Sequence, residues 1–151
     1  MQTIIFRPST AEDAEHIGGN LRAADFKEIS LSNPGGNPAE LVESSRGWSV
    51  WSRTAEIDGV PAVIFGVTPS HFEGWGVPWL LATDAAMPVA RRLVRQCHTQ
   101  VADMHLEYEF LHNQVHRENV ASIQWLRWLG FTIGTVPCGP GDEFLMFWKR
   151  G

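Results

Sequence analysis

The residues best suited to chemistry are His112, Asn119 and Ser122, in the stretch from Phe110 to Phe131. The first half of this stretch alternates as a strand does. Its second half carries apolar residues at the three- and four-residue spacing of a helix, which Gly130 ends. Asn119 stands at the N-cap position, where its side chain can accept a hydrogen bond from a backbone N–H of the first helical turn. Such a helix N-terminus can bind an anionic or hydrogen-bonding ligand, although any strand–helix unit shows the same pattern.

Metal and hydrolase chemistry find less support in the sequence. His112 and His116 have the H-x-x-x-H spacing of a metal-binding pair, but on a strand they would lie about 13 Å apart, too far to share one ion. The serines between positions 44 and 49 lack the context of a nucleophile elbow, and neither Cys97 nor Cys138 has an obvious base beside it. We therefore predict no metal site and disfavour hydrolysis.

The composition argues against several classes of protein. The formal charge of −5 at pH 7 disfavours non-specific binding to nucleic acid or to acidic membranes. The first residues contain no hydrophobic signal region, and no apolar run reaches the length of a membrane span. We expect a soluble cytoplasmic protein with Cys97 and Cys138 as free thiols, Cys97 filling the core, and residues 1–151 forming one domain.

The hydrophobic pattern predicts a mixed α/β (α+β) sheet with the element order β–α–α–β–β–β–α–β–α–β–β. An antiparallel hairpin falls in the first half of this order, and βαβ-like crossovers fall in the second. Seven strands are predicted, at Thr3–Phe6, Trp48–Ile57, Val60–Thr68, Val77–Thr83, Glu109–Val115, Thr132–Val136 and Glu143–Trp148. Four helices are predicted, from the turn after Ser9 to Ala24, from Pro38 to Ser45, from Pro88 to His105 and from Val120 to Leu129.

Local signals fix several ends of these elements. Ser9 and Glu12 are spaced as a capping box at the start of the first helix, which Gly18-Gly19 should kink or break. Asn37 is predicted to cap the second helix, and the segment before it, Phe26–Leu31, is a weak helical or extended piece. Asp58-Gly59 is the signal of a two-residue hairpin turn.

Four tryptophans, at positions 48, 51, 75 and 79, cluster around this hairpin and the strand after it. They could fill the core, or they could line a cleft or a protein-binding surface, since tryptophan is enriched at contact hot spots. The sequence leaves both interpretations open.

The element order, together with Asn119-x-x-Ser122 and Leu129-Gly130-Phe131, resembles the GCN5-related N-acetyltransferase (GNAT) superfamily. Arg7-Pro8 followed by Ala11-Glu12-Asp13 is similar to the usual opening of that fold, and the resemblance covers essentially the whole chain. More narrowly, the pattern from Leu111 to Phe131 is similar to a GNAT-like family encoded by tailed bacteriophages and prophages. In T7-like phages the relatives of that family are connected with the internal virion proteins.

The resemblance implies an N-acetyltransferase that moves an acyl group from acetyl-CoA to the amine of a small molecule or a protein. Glu73, in the loop before the fourth strand, and His112, on the fifth, are the nearest candidates for the general base. The resemblance also implies cofactor contacts from the fourth strand, the helix after it and the Asn-capped helix, namely Leu81, Ala82, Thr83, Arg91, Arg92, Asn119 and Ser122.

Three departures from the superfamily leave a second function open. The loop that normally binds the pyrophosphate through glycines reads Thr83–Ala90 here, without glycine and with Asp84 and Pro88. The place of the usual general-acid tyrosine, seven residues after Asn119, holds Leu126, and the fourth strand has no carboxylate. The alternative is a catalytically degenerate phage or prophage protein, in the bacterial host cell or the virion, that contacts virion proteins during assembly and can oligomerise.

Overall fold

The protein folds as the mixed α/β sheet that its sequence predicts. The computed structural model describes every residue, Met1–Gly151. The strands are β1 (Ile4–Pro8), β2 (Trp51–Ile57), β3 (Val60–Pro69), β4 (Trp75–Ala82), β5 (Phe110–His116), β6 (Thr132–Ile133) and β7 (Phe144–Arg150). The helices are α1 (Ala11–Gly18), α2 (Ala23–Ser32), α3 (Pro38–Trp48), α4 (Ala90–Glu107) and α5 (Val120–Trp128), with 3₁₀ helices at Asp84–Val89 and Pro140–Asp142.

The seven strands form one sheet in the order β1-β2-β3-β4-β5-β7-β6. The hairpin prediction is confirmed: β2 and β3 pair antiparallel, and Asp58 and Gly59 have φ values of 51° and 81°, as a type I′ turn requires. The crossover prediction is also confirmed, because β4 and β5 are parallel and α4 connects them. Strand β3 carries a continuous buried run from Ala62 to Val67, which fits its interior place in the sheet.

Three helices precede the hairpin, where two were predicted. The predicted break at Gly18-Gly19 is confirmed, since α1 ends at Gly18 and Gly19 caps it. The prediction that the first helix reaches Ala24 is therefore wrong. The chain makes a short turn and starts α2 at Ala23, so the weak piece Phe26–Leu31 lies within a regular helix.

The capping box of α1 is shifted by one residue from the predicted pair. Thr10 accepts from the Asp13 backbone N–H at 3.2 Å, and the Asp13 side chain accepts from the Thr10 N–H at 2.9 Å. Asp13 takes the place in the capping box that was predicted for Glu12 because of contacts with distant residues. Its carboxylate also accepts hydrogen bonds from Arg7 of β1 and from the Thr54 hydroxyl of β2. Glu12 is exposed and has no such partners in the sheet.

Several predicted ends differ for local reasons. Trp48 ends α3 and does not start a strand, because the Ser49 hydroxyl donates to the Ser45 carbonyl and continues the helical turn. The third predicted helix starts at Ala90 and not at Pro88, since a 3₁₀ helix precedes it. The sixth strand is shorter than predicted, with two residues, and the seventh runs on to Arg150. None of the helices combines the length and the apolar composition that a bilayer crossing requires.

The chain divides into two compact units, one of residues 1–68 and 79–93 and the other of residues 69–78 and 94–151. The core of the first unit is a cluster of fully buried residues from α1, α3 and β3 with partly buried neighbours around it. The cluster consists of Ala14, Ile17, Val42 and Ile64, and Leu21, Ile29, Trp79 and Leu81 pack against it. Trp79 therefore serves the core, whereas Trp48 is 76% exposed and does not.

The buried residues of the second unit come mainly from α4 and from the strands β5 and β7. Phe131 and Phe147 pack edge to face, with ring centroids 5.2 Å apart. Leu111 and Cys97 are buried, which confirms the prediction that Cys97 fills the core. Burial raises the pKa of the Cys97 thiol to about 12, so it stays protonated and unreactive.

Gly18 allows α1 and α3 to approach closely, and this contact predicts a stability effect. A Cβ at position 18 would lie 2.5 Å from the Cα of Ala39, a backbone atom that cannot move aside. Gly18→Ala is expected to lower the free energy of unfolding by about 1–3 kcal/mol. The matched control is Gly47→Ala in α3, where an added Cβ meets nothing within 4 Å, and helix propensity predicts a gain of up to about 1 kcal/mol. Urea unfolding followed by tryptophan fluorescence measures both, and equal effects would contradict the assigned contact.

Candidate functional site

Strands β4 and β5 pair over only two residues, ending at Gly76 and Leu111. Past that point a side chain connects the strands: Nδ2 of Asn113 donates to the Pro78 carbonyl at 2.7 Å. Oδ1 of the same amide accepts from the Gln114 backbone N–H at 2.8 Å, which fixes its orientation. Backbone pairing between β4 and β5 therefore stops early, and Asn113 bridges the two strands where it stops.

The edge of β4 that faces away from β3 offers few open backbone groups. The Thr83 N–H donates to Ala62 of β3 at 2.8 Å, and backbone groups of successive strand residues point to opposite edges. The groups of Ala82, Leu80 and Pro78 therefore point to the other edge. Pro78 has no N–H, so it contributes only the carbonyl that Asn113 already contacts.

Ala82 is occupied by the start of α2. Its N–H donates to Asp25 Oδ2 at 2.8 Å, and its carbonyl accepts from the Arg22 backbone N–H at 2.9 Å. Arg22 and Asp25 also form a buried ion pair, with Nη2 2.7 Å from Oδ1 and exposures of 5% and 2%. We call this arrangement of Arg22, Asp25 and Ala82 the edge clip. With Pro78 and Ala82 engaged, Leu80 is the residue of this edge for which no such bond is described, and its side chain is exposed.

The segment that was compared with a phosphate-binding loop, Thr83–Ala90, contains a 3₁₀ helix and is not an open loop. Residues Asp84–Val89 form a 3₁₀ helix that runs directly into α4, and Ala86 and Val89 are buried. The Ala90 N–H donates to the Met87 carbonyl, so the first turn of α4 already uses this donor. Pro88 has none to offer.

The charged groups around this turn have opposite signs. Asp84 and Arg91 are both exposed, while Arg92 donates from Nη2 to the Gln2 carbonyl at 2.7 Å. Of the two arginines predicted to contact phosphates, Arg91 is thus the one that projects into solvent, and Arg92 contacts the N-terminal segment.

The cap at the start of α5 is confirmed. Asn119 is buried, and its Oδ1 accepts from the Ser122 backbone N–H at 3.3 Å. The turn before it is held by His116, whose Nδ1 accepts from the Glu118 N–H at 3.1 Å. In the neutral ring the proton then sits on Nε2, which lies 3.2 Å from Glu143 Oε1 and can donate to it.

His112 lies in an aromatic environment on the face of β5 opposite the buried Leu111. Its Nε2 is 2.7 Å from the Ser70 hydroxyl oxygen, and its ring packs edge-on against Trp75 at 5.0 Å. Burial among these rings lowers the pKa of His112 below its ordinary value of 6.5, so the imidazole is neutral at pH 7. Glu73 sits in the exposed loop before β4.

Solved acetyltransferase structures match nearly the whole chain. A proposed acetyltransferase from Acinetobacter baylyi ADP1 aligns over 100% of this chain and 94% of its own, with a TM-score of 0.74 and 14% identity. A GNAT-family acetyltransferase from Bacillus anthracis aligns over 96% and 92%, with a TM-score of 0.69 and 8% identity. The chain has the GNAT fold. Another match is a proposed acetyltransferase from Salmonella typhimurium solved with its cofactor acetyl-CoA, over 97% and 93%, with a TM-score of 0.63 and 13% identity.

No family model matches the sequence, and no curated protein matches it. At sequence identities this low, the matches establish the GNAT fold but not the reaction, which has to be inferred from the residues of the site. Two features of the site were missed by sequence reasoning, namely the Asn113 bridge and the edge clip. The alternation of β5 indicated only which face Asn113 occupies, and Asp25 lies 57 residues from Ala82, so no local spacing links them.

Proposed function

We propose that the protein is an N-acyltransferase that moves an acyl group from acetyl-CoA to a primary amine. The observation that carries the proposal is the early end of β4–β5 pairing within a GNAT fold. An unpaired strand edge can bind an extended ligand through main-chain hydrogen bonds, as in β-augmentation. The pantetheine arm, with its two amides, is such a ligand.

The residues present fit this arm at Leu80. The predicted backbone contacts at Leu81, Ala82 and Thr83 stay predictions, but the bonds of Ala82 and Thr83 within the chain favour Leu80 instead. Leu80 would donate its N–H to one carbonyl of the arm and accept from one of its amides. Asn119, Ser122, Arg91 and Arg92 remain the other predicted contacts, and bound acetyl-CoA would supply the thioester.

We assign the general base to His112. The attacking amine must lose a proton as its nitrogen bonds to the thioester carbon, and a neutral imidazole can take that proton. In the tautomer in which Nε2 donates to the Ser70 hydroxyl, the lone pair of Nδ1 is the site that accepts the proton. Glu73 is the second candidate for this role. It lies in an exposed loop, where a carboxylate gains no comparable orientation.

Leu126 cannot protonate the departing sulfur. The C–S bond can still break with the thiolate leaving, because a thiol pKa near 8.5 makes thiolate a tolerable leaving group, and water can protonate it afterwards. Positioning of the two reactants would then supply most of the acceleration. We therefore expect a low kcat together with measurable binding of acetyl-CoA.

His112→Gln is expected to lower kcat/KM by about 100-fold, the low end of general-base contributions. Thiol release from acetyl-CoA with a panel of primary amines measures this rate. Since the pKa of His112 lies below 6.5, the acidic limb of the wild-type pH profile should fall below pH 6.5 and should vanish in the variant. His98→Gln on the exposed surface of α4 is the control and should leave both quantities unchanged.

Two results would change the assignment. If Glu73→Gln lowers the rate and His112→Gln does not, the base is Glu73. If calorimetry detects no acetyl-CoA binding at millimolar concentration, the acyltransferase proposal fails.

The second candidate is the degenerate GNAT-like protein that acts through contacts with virion proteins. Its support is the closed 3₁₀ turn after β4, the leucine at position 126 and the exposed Trp48 and Phe72. Its phage or prophage origin and its location in the cell or virion stay predictions. Acetylation of any amine in the panel above the rate of His112→Gln would count against it.

A further inference from the structure

The turn after β4 is built without an anion cradle. A backbone cradle for a diphosphate needs several N–H groups that converge outwards, and glycines or positive φ values usually provide them. No residue between Thr83 and Ala90 has a positive φ, and the N–H groups of Ala86 and Ala90 donate to carbonyls of the same turn. Opening the turn would expose Ala86, which is fully buried.

Side chains do not replace the missing cradle. Arg92 is held by the Gln2 carbonyl, so Arg91 is the arginine here that projects freely into solvent. Asp84, at the start of the 3₁₀ helix, places a negative charge next to the same segment. Arg91 together with the exposed carboxylate of Asp84 in the same segment gives little net attraction for a diphosphate, and the exposed Arg95 lies a turn further along α4.

The strand edge before this turn is different, because the backbone N–H and carbonyl of Leu80 point to the same edge as the bonded groups of Pro78 and Ala82. Asn113 and the edge clip occupy the residues on either side, at Pro78 and Ala82, which fixes the position of Leu80 between them. An extended arm with amide groups can pair there, whereas a phosphate group, which only accepts, can use at most the N–H.

We infer that this chain binds its acyl donor through the pantetheine arm and gains little affinity from the nucleotide diphosphate. The donor class is therefore an acylated pantetheine, of which acetyl-CoA is one member. The inference rests on the proposed function, since it concerns the donor of that same reaction.

Calorimetry of the wild-type protein with acetyl-CoA and with S-acetylpantetheine, which lacks the phosphates and the nucleotide, tests this inference. Each charge-assisted hydrogen bond to a phosphate is worth roughly 10- to 150-fold in affinity. We expect the two dissociation constants to agree within about tenfold, because not even one such bond of full strength forms at the exposed Arg91. A preference for acetyl-CoA of more than about tenfold would overturn the inference and leave the proposed function standing. Binding of neither thioester at millimolar concentration would overturn both.

Asp84→Asn gives a second readout that does not depend on catalysis. Removal of this charge should tighten acetyl-CoA binding by about two- to fivefold and leave S-acetylpantetheine unchanged. Glu107→Gln, an exposed acid at the other end of α4, is the matched control, because it changes the net charge equally. Equal tightening of both thioesters by Asp84→Asn would contradict the assigned place of the diphosphate.

Discussion

Asp25→Ala is expected to destabilise the fold by about 3–5 kcal/mol, the cost of leaving one partner of a buried ion pair without the other. The substitution removes three bonds at once, two to the Arg22 guanidinium and one to the Ala82 N–H. Arg22 is 5% exposed, so its charge would stay buried after losing this carboxylate. Urea unfolding at pH 7 measures the loss as a shift of the midpoint at constant slope.

A double-variant cycle separates the ion pair from general packing. Arg22→Met removes the charge while keeping much of the side-chain volume, and Arg22→Met/Asp25→Ala should be less destabilised than the sum of the single variants. We expect a coupling energy of about 1–3 kcal/mol. Strict additivity would mean that the two charges do not stabilise each other and that Asp25 acts only through Ala82.

Asp13→Asn is expected to lower the free energy of unfolding at pH 7 by about 2–3 kcal/mol. Burial alone would raise the pKa of Asp13, but hydrogen bonds from Arg7, Thr54 and the Thr10 backbone together outweigh it and lower the pKa from 3.8 to about 2. A pKa lowered by about two units corresponds to this energy. The carboxylate accepts from Arg7 of β1, from the Thr10 N–H at the start of α1 and from Thr54 of β2, so its loss weakens the contacts among these three elements.

The pH dependence gives the sign of the effect. Because the folded pKa is depressed, the stability that Asp13 contributes is present above about pH 4 and is lost as the pH falls towards 2. The Asn variant should lack this part of the acid transition. Glu43→Gln is the control, since Glu43 pairs with Arg46 on the surface with 44% of its side chain exposed, and a change below about 0.5 kcal/mol is expected. A variant that keeps the wild-type acid profile between pH 4 and 2 would assign the shift to another group.

Elements set by short-range chemistry could be predicted from the sequence. Asn37 and Asn119 cap their helices as expected, because a cap needs only one side chain and a backbone N–H three residues later. Asp58-Gly59 forms the expected turn for the same reason, since both residues tolerate positive φ. Together with the hydrophobic pattern, these signals placed the seven strands and four of the five α-helices of the fold.

Features decided by distant partners could not be predicted in this way. Ser9–Glu12 and Thr10–Asp13 satisfy the capping-box spacing equally well, and the bonds that Asp13 accepts from Arg7 and Thr54 favour the second pair. The edge clip is of the same kind, because the residue that fills the β4 edge comes from α2. The backbone contacts at Ala82 and Thr83 were predicted from the resemblance to the GNAT superfamily. A resemblance of this kind does not show that the backbone N–H groups of these two residues already donate to Asp25 and Ala62.

The short edge of β4 also bears on how the protein avoids self-association. Exposed strand edges are templates on which another chain can add a strand, and proline or local occupation of the backbone protects them. Between Pro78, which lacks an N–H, and Ala82, which the edge clip fills, only Leu80 could pair with an incoming strand. One residue is too short to nucleate an intermolecular sheet. The bonds that occupy Pro78 and Ala82 therefore also protect this edge of β4 against the addition of a strand.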